Sequence, residues 1–389
     1  MNRIYYLIGL VGIAFLILGC NSASNEAKCE NPITIPENVK LIGHKGSGPI
    51  EMNAPKIWYE NGRPSIMNAL RRTDGTEIDI QMSKDSTLWL FHDHEIKNCY
   101  GDLINFNDLS DIEIESINKC KFQNQLLSLK GFNSILSNEH FENKTISLDL
   151  KTLSNPIVLK KWSIDTLLSY VFNKIKKVID LEHVLLEIPS NIELQKAKSM
   201  TTQKVYQVHY EISSIPEEVN NISMPFNFSN SYSKKNLQVW TPNKMSDLII
   251  ALSSNPEIIQ SDNIDLISYF TELRDGKQVE CSYIRPIDIK AKAEQEFIEL
   301  VKSPKSDEDS FFQLKLDANK CIEGQYLVLS VKDKSGDELF YEAVNIWEAP
   351  GYLFLNSSID NNDDLQYSIY IWNKAKSPLN LKGQLIHFK

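Results

Sequence analysis

Apolar residues along this chain fall into three regimes. From Ile4 to Leu18 they are nearly continuous. From residue 41 to about 275, short β-rich runs alternate with longer segments of helical period. From about 285, short alternating segments follow one another between Gly, Asp, Asn and Ser turns. The middle regime holds apolar runs at Leu41–His44, Glu77–Gln81, Ile146–Leu150, Val184–Glu187, Lys204–Val208, Ile222–Phe226, Leu237–Trp240 and Ile258–Gln260. Helices are expected near 65–73, 126–139, 157–180, 190–200, 212–219 and 244–254, with "NPIVLKKWSIDTLLSYVFNKIKKVI" the clearest period. One run breaks the alternation. "TLWLFHDHE" follows "EIDIQ" after only "MSKDS", too short for a parallel crossover, so Leu88–Phe91 is expected to return as a hairpin beside the Glu77 run.

The remaining eight strand–helix alternations are the pattern of a (β/α)8 TIM barrel, an α/β fold. The last regime contains "FFQLKLD", "YLVLSVKD", "LFYEAVNIW", "YLFLNS", "YSIYIWN" and "LKGQLIHF", with no helix expected after "AEQEFIELV". It reads as a small all-β sandwich-like domain. The expected organisation is a leader over 1–20, a flexible tether over 21–38, the barrel over 39–280 and the β domain over 285–389.

Charge narrows the function. The 389 residues carry 51 acidic and 41 basic side chains, a net charge of −10. That argues against general binding of nucleic acid or anionic lipid by the protein surface. An anionic substrate would need a local basic patch or a metal ion. At the N-terminus, Ile17-Leu18-Gly19-Cys20 resembles a bacterial lipoprotein cleavage box. It implies lipidation of Cys20, export and a membrane anchor at the cell envelope; an uncleaved anchor is the alternative. Five further cysteines are widely spaced and odd in number, so no pairing follows and at least one is expected to be free.

Polar residues at the C-terminal ends of the expected barrel strands share one rim, where such barrels carry their active sites. The first strand delivers His44 and Lys45. Glu77 and Asp79 lie two apart on the second strand, hence on one face. The hairpin ends in His92-Asp93-His94, the next barrel strand in Asp149 and Lys151, the seventh in Trp240, the last in Ser261-Asp262. Three oxygen ligands suit Ca²⁺ or Mg²⁺. Histidines beside them suit acid–base catalysis, and lysines suit an anionic group such as phosphate.

In this order and spacing, "GHKG", "TEIDIQMSKDSTLWLFHDHEI", "ISLDLK", "LQVWTPN" and "IIQSDNID" resemble the glycerophosphodiester phosphodiesterases over about 40–270. The resemblance implies His44 and His92 as catalytic acid and base, and Glu77, Asp79 and Asp149 as ligands of a divalent cation. It implies Lys45 and Lys151 beside the phosphate and Trp240 beside the glycerol of a small glycerophosphodiester substrate. Three departures stand out. Lys45 replaces an arginine and loses its two-pronged grip. Asp149 is one methylene shorter than the usual glutamate. The family's Pro-Glu-Asn-Thr helix start is not evident, with Glu51 and Glu60 as candidates for its glutamate. Two rival functions remain: a related phosphodiesterase or lyase acting on intact phospholipids, and a non-catalytic binding lipoprotein. Trp347, Tyr352 and Trp372 either pack or contact a glycan. His94, His140, His183, His209 and His387 are expected to be surface or packing residues.

Overall fold

The computed structural model describes residues 33–389, apart from 34, 54–55, 180–181, 212–214, 233–235, 303–308, 317–323, 347–350, 356–364 and the side chains of 230–232. Cys20, the tether up to residue 32 and Trp347 therefore lie outside the described residues.

Eight parallel strands close into a barrel: β1 (Lys40–Gly43), β2 (Gly75–Met82), β6 (Thr145–Asp149), β7 (Val184–Pro189), β8 (Lys204–Val208), β9 (Asn221–Pro225), β10 (Asn236–Trp240) and β11 (Ile258–Ser261). Closure comes from β1, which pairs with β11 along Lys40–Gly43 and with β2 at Ile42 and Gly43. Strands covered on both faces read as continuous apolar runs, and β2 is buried along its whole length. The outer layer includes α1 (Arg63–Arg72), α2 (Asp111–Lys121), α3 (Leu129–Asn138), α4 (Pro156–Lys161), α5 (Ile164–Val178), α6 (Leu194–Met200), α7 (Met245–Ser253) and α8 (Ile264–Arg274). In α5, Leu167, Leu168, Val171, Phe172 and Ile175 form the buried stripe expected of a helix lying on a core.

Two helix expectations need correction. The single helix over 157–180 is broken at Trp162-Ser163, because the Ser163 side chain accepts the Thr166 N–H and starts a new helix there. The helix over 212–219 is not found among the described residues. Residues 215–220 run as turn and coil around Pro216, which disfavours a helical conformation for Ile215.

The hairpin does form. β3 (Leu88–Leu90) runs antiparallel to β2, with Leu90 opposite Ile80. An insertion follows: the hairpin of β4 (Glu95–Lys97) and β5 (Leu103–Asn105), then α2, begun by a reciprocal Ser110–Glu113 capping box. Trp89, Ile96, Phe106, Leu109, Ile114, Ile117 and Leu126 give it its own small core. A Cys99–Cys120 disulfide ties the hairpin to α2.

The C-terminal region forms two four-stranded antiparallel sheets. One has the order β12 (Cys281–Ala291), β19 (Leu379–Phe388), β14 (Ser310–Leu316), β17 (Gly351–Leu355). The other has β13 (Phe297–Lys302), β18 (Gln366–Asn373), β15 (Gln325–Lys332), β16 (Glu338–Asn345). Phe312, Leu314 and Leu385 of one sheet share a core with Leu327, Leu329, Ile369 and Ile371 of the other. β12 and β13 go beyond the six expected strands, and β13 occupies the end of "AEQEFIELV". Both are edge strands. β12 carries Pro286, a residue edges tolerate, and buries only Ile287 and Ala291, so its apolar signal is faint. Tyr352 is buried, accepting a hydrogen bond from Gln313 Nε2 at 2.9 Å. Trp372 is partly covered, stacked on Phe297 and close to Tyr326.

Candidate active site

The site begins where β1 ends. Gly43 is required by close approach: a Cβ there would lie 2.0 Å from the Gly46 carbonyl oxygen and 2.7 Å from Ala69 Cβ. Gly46 has φ +81°, and a Cβ would lie 2.5 Å from Ser65 Oγ. Between them, Lys45 itself takes a left-handed φ of 51°, uncommon for a side-chain-bearing residue. That turn aims its N–H at Glu77 Oε2, 2.7 Å away.

The same turn presents His44. Its Nδ1 lies 2.8 Å from Asp262 Oδ1, just past β11, and its Nε2 lies 3.9 Å from Glu77 Oε2. Asn243, after β10, donates from Nδ2 to Asp262 Oδ2 at 2.7 Å, and its Oδ1 accepts the Asp262 N–H at 2.9 Å. Burial would raise Asp262, but the bond from His44, the His44 charge and the bond from Asn243 outweigh it and hold the carboxyl below its usual range. With an ionised acceptor at Nδ1, that nitrogen carries the proton and Nε2 is left as the ring's basic nitrogen, turned toward Glu77.

Glu77 and Asp79 leave β2 on one face, and the β2–β6 register sets Asp79 opposite Asp149. One oxygen of each of the three carboxylates lies within 4.8 Å of the others. The shorter Asp149 therefore still reaches the cluster. Asp79 is fixed by Asn61, which donates from Nδ2 to Oδ2 at 2.8 Å and accepts the Asp79 N–H at 2.9 Å. Lys151 Nζ lies 2.6 Å from Asp149 Oδ2 and 3.6 Å from Asp79 Oδ1. Burial would lower Lys151, but Asp149 and Asp79 hold its ammonium well above the ordinary range. Burial raises Asp79 less than Lys151, His92 and Lys45 lower it, whereas Glu77 is driven well up by burial and then by Asp79, Glu187 and Asp149. Glu77 Oε1 is buried without a hydrogen-bond partner. An unpaired buried carboxylate oxygen is costly, and three converging hard oxygens are suited to holding a divalent cation.

The hairpin lays His92 over this cluster. His92 Nδ1 lies 2.7 Å from Asp93 Oδ1, and that bond, with the His92 charge, lowers the Asp93 carboxyl. Gln81 of β2 steadies the turn, its Nε2 donating to the carbonyls of His92 at 3.3 Å and Asp93 at 3.2 Å. Both rim histidines are thus backed at Nδ1 by an aspartate. His94 instead packs against Gln81, His209 and His387 are buried, and His140 and His183 are exposed.

Trp240 stands at the rim with Tyr210 edge-on to it at 5.5 Å. Of the two candidate glutamates, Glu60 is the one at the site, with Oε2 3.5 Å from Lys45 Nζ, while Glu51 is exposed in a short helical turn. Burial would lower Lys45, but Asp79, Glu60 and Glu77 hold it above its ordinary value. Below the cluster lies a fourth acid not anticipated from sequence. Glu187 of β7 accepts hydrogen bonds from Ser147 (2.8 Å), Ser223 (2.6 Å) and Gln260 (2.8 Å), and burial, then Asp149, pushes it up. Asn61, Gln81, Asp93 and Tyr210 were likewise unassigned. Two of them had a signal in the sequence: Asn61 follows the candidate Glu60, and Asp93 follows His92 at the hairpin end.

The model of the glycerophosphoryl diester phosphodiesterase family matches residues 43–220. Similar solved structures include a glycerophosphodiester phosphodiesterase from Thermotoga maritima, 17% identical, covering 61% of this chain and 98% of that one, with TM-score 0.43. Another is a phosphodiesterase from Oleispira antarctica in complex with the product sn-glycerol-3-phosphate, 17% identical, covering 60% and 96%, with TM-score 0.45. A third, a glycerophosphodiester phosphodiesterase from Parabacteroides distasonis, is 14% identical, covering 61% and 98%, with TM-score 0.42. No curated protein matches the sequence. Residues 43–220, which lie within the closed barrel and carry most of the rim residues, are thus similar to the glycerophosphoryl diester phosphodiesterase family.

Proposed function

We propose that this chain hydrolyses glycerophosphodiesters to glycerol 3-phosphate and an alcohol, using His44 and His92 as acid and base beside a divalent cation held by Glu77, Asp79 and Asp149. The observation that carries the reading is the meeting of two buried carboxylates, a half-buried third and two aspartate-backed imidazoles at one barrel mouth. A bound Ca²⁺ or Mg²⁺ supplies Lewis-acid polarisation of the phosphoryl oxygens. The protein's own groups do the rest. One imidazole takes the proton of the nucleophile at Nε2, and the other returns a proton to the departing alkoxide. Asp262 and Asp93 hold the opposite nitrogens, so each ring keeps the tautomer the step requires. Lys45 and Lys151 offset phosphate charge, and Trp240 with Tyr210 walls the organic part of the substrate.

Export and lipid anchoring through Cys20 are part of the proposal. The Cys99–Cys120 disulfide supports an oxidising compartment. The test is product analysis with glycerophosphocholine and glycerophosphoethanolamine, with and without chelator, and with intact phospholipid as a separate arm. Glycerol 3-phosphate release that a chelator abolishes is the expected result. His92→Ala should lower turnover by about 10² or more with the fold intact. Near-normal turnover in that variant would remove the role given to His92, and binding without turnover would favour a non-catalytic lipoprotein.

A further inference from the structure

Inside the barrel, beneath the rim acids, lies a layer that is polar rather than apolar. Barrels of this plan fill their interior mainly with branched apolar side chains. Here Ser147 of β6, Glu187 of β7, Ser223 of β9, Gln238 of β10 and Gln260 of β11 meet, all of them buried. Glu187 is the hub. Its Oε1 accepts from Ser147 Oγ and from Gln260 Nε2, each at 2.8 Å, and its Oε2 accepts from Ser223 Oγ at 2.6 Å. Gln238 Nε2 closes the ring, 3.2 Å from Ser147 Oγ and 3.5 Å from Ser223 Oγ. Two residues down their strands, and so on the same face, Leu185 and Ile258 join Ile42 and Tyr206 in an apolar floor. Two residues up stand Asp149, after Ser147, and Asp262, after Gln260. His44 is held by that last strand end twice. Asp262 takes its Nδ1, and its own N–H donates to the Ser261 carbonyl at 2.9 Å.

Buried polar groups are tolerated only when hydrogen-bonded, so an apolar layer would close the same cylinder at less risk. What a satisfied polar network adds is a single, rigid arrangement of the strands that feed it. None of the five side chains leaves a buried nitrogen or oxygen without a partner. We propose that Glu187 is a positioning residue for the phosphodiester reaction. By drawing Ser147 and Gln260 onto one oxygen, it fixes across the barrel the two strand ends that present Asp149 to the cation and Asp262 to His44. The inference rests on the roles given to Asp149 and His44 above. Glu187 is itself no ligand, since the three converging oxygens belong to Glu77, Asp79 and Asp149. The effect is carried by one oxygen accepting two hydrogen bonds, which an amide carbonyl can also do.

The test uses the full chain and two separate readings: turnover of glycerophosphocholine at saturating divalent cation, and calorimetric titration with Ca²⁺ or Mg²⁺ alone. Glu187→Leu keeps the bulk and removes the acceptor. It should lower kcat about tenfold to a hundredfold, the scale expected when a reacting group is displaced by about an ångström, with a smaller change in KM. It should also weaken cation binding about tenfold. Glu187→Gln should recover most of both losses, because its carbonyl can accept from Ser147 and Gln260 as the carboxyl does. If Glu187→Leu folds poorly, Ser147→Ala and Gln260→Leu each remove one strut and should each give part of the same losses. Unchanged kcat and cation affinity in Glu187→Leu, or in both strut variants, overturns the proposal. So does a glutamine variant as impaired as the leucine one, which would assign the effect to charge. An inactive wild-type chain would instead refute the phosphodiesterase reading itself, and the wild-type control tells the two failures apart.

Discussion

Replacing Glu342, a buried carboxylate of β16, by glutamine has a calculable effect on stability. The side chain is 5% exposed. One oxygen accepts the Phe354 N–H, and Oε1 completes no hydrogen bond of normal geometry. Burial, with help from Asp247, pushes the carboxyl up to about 7 against the favourable Phe354 and Met245 N–H groups and Lys244. Between the ordinary value of 4.5 and about 7, the native state binds this proton and the unfolded chain does not. Stability from this group is therefore full below the unfolded value and is lost as pH rises through that window. At about 1.4 kcal/mol per pH unit, the loss approaches roughly 3 kcal/mol above about pH 7. Glutamine keeps the shape and carries no charge to bury. In urea unfolding followed by tryptophan fluorescence, Glu342→Gln should gain roughly 3 kcal/mol relative to wild type between about pH 4.5 and about pH 8. A wild-type-to-variant difference that stays flat across that range would refute the reasoning, since an unburied or fully compensated carboxylate gives no such slope.

Asp262→Asn should lower kcat by about 10² or more with the fold retained, because an amide can no longer fix the Nδ1 proton of His44; stopped-time product assays and circular dichroism check both halves. Added Ca²⁺ or Mg²⁺ at about a hundred times its Kd should stabilise the wild-type chain by about 2.7 kcal/mol, and the shift should vanish in Glu77→Gln by differential scanning fluorimetry. His387 is buried against Phe312, with ring centroids 4.4 Å apart, and burial lowers it to about 4. It is neutral in the fold and charged in the unfolded chain below its ordinary 6.5, so stability falls as pH drops from there to about 4. His387→Phe should remove that part of the acid sensitivity, seen as a smaller drop in melting temperature over the same range.

The barrel was legible because parallel strands are apolar on both faces, and the hairpin because five residues cannot carry a crossover. What escaped was decided by single residues or by edges. Ser163 splits one helical period in two, Pro216 removes another, and β12 and β13 bury too little to announce themselves. At the site, Glu77 and Asp79 share a face by strand period alone, and His44 and Asp149 follow from the rim rule. Their supporting partners do not. Asp262 reaches His44 across 218 positions of sequence, and Asn61 reaches Asp79 across 18. Glu187 meets Asp149 only through the register of β6 and β7. Such pairings are made by closing the cylinder, and no local pattern encodes them.

The two imidazoles have different mountings. His44 extends a strand paired on both sides within the closed wall, whereas His92 follows a three-residue strand paired with β2, its turn steadied by the Gln81 amide. Exchange of the insertion beyond that turn would thus alter the surroundings of His92 while leaving in place the strands that carry Glu77, Asp79 and Asp149.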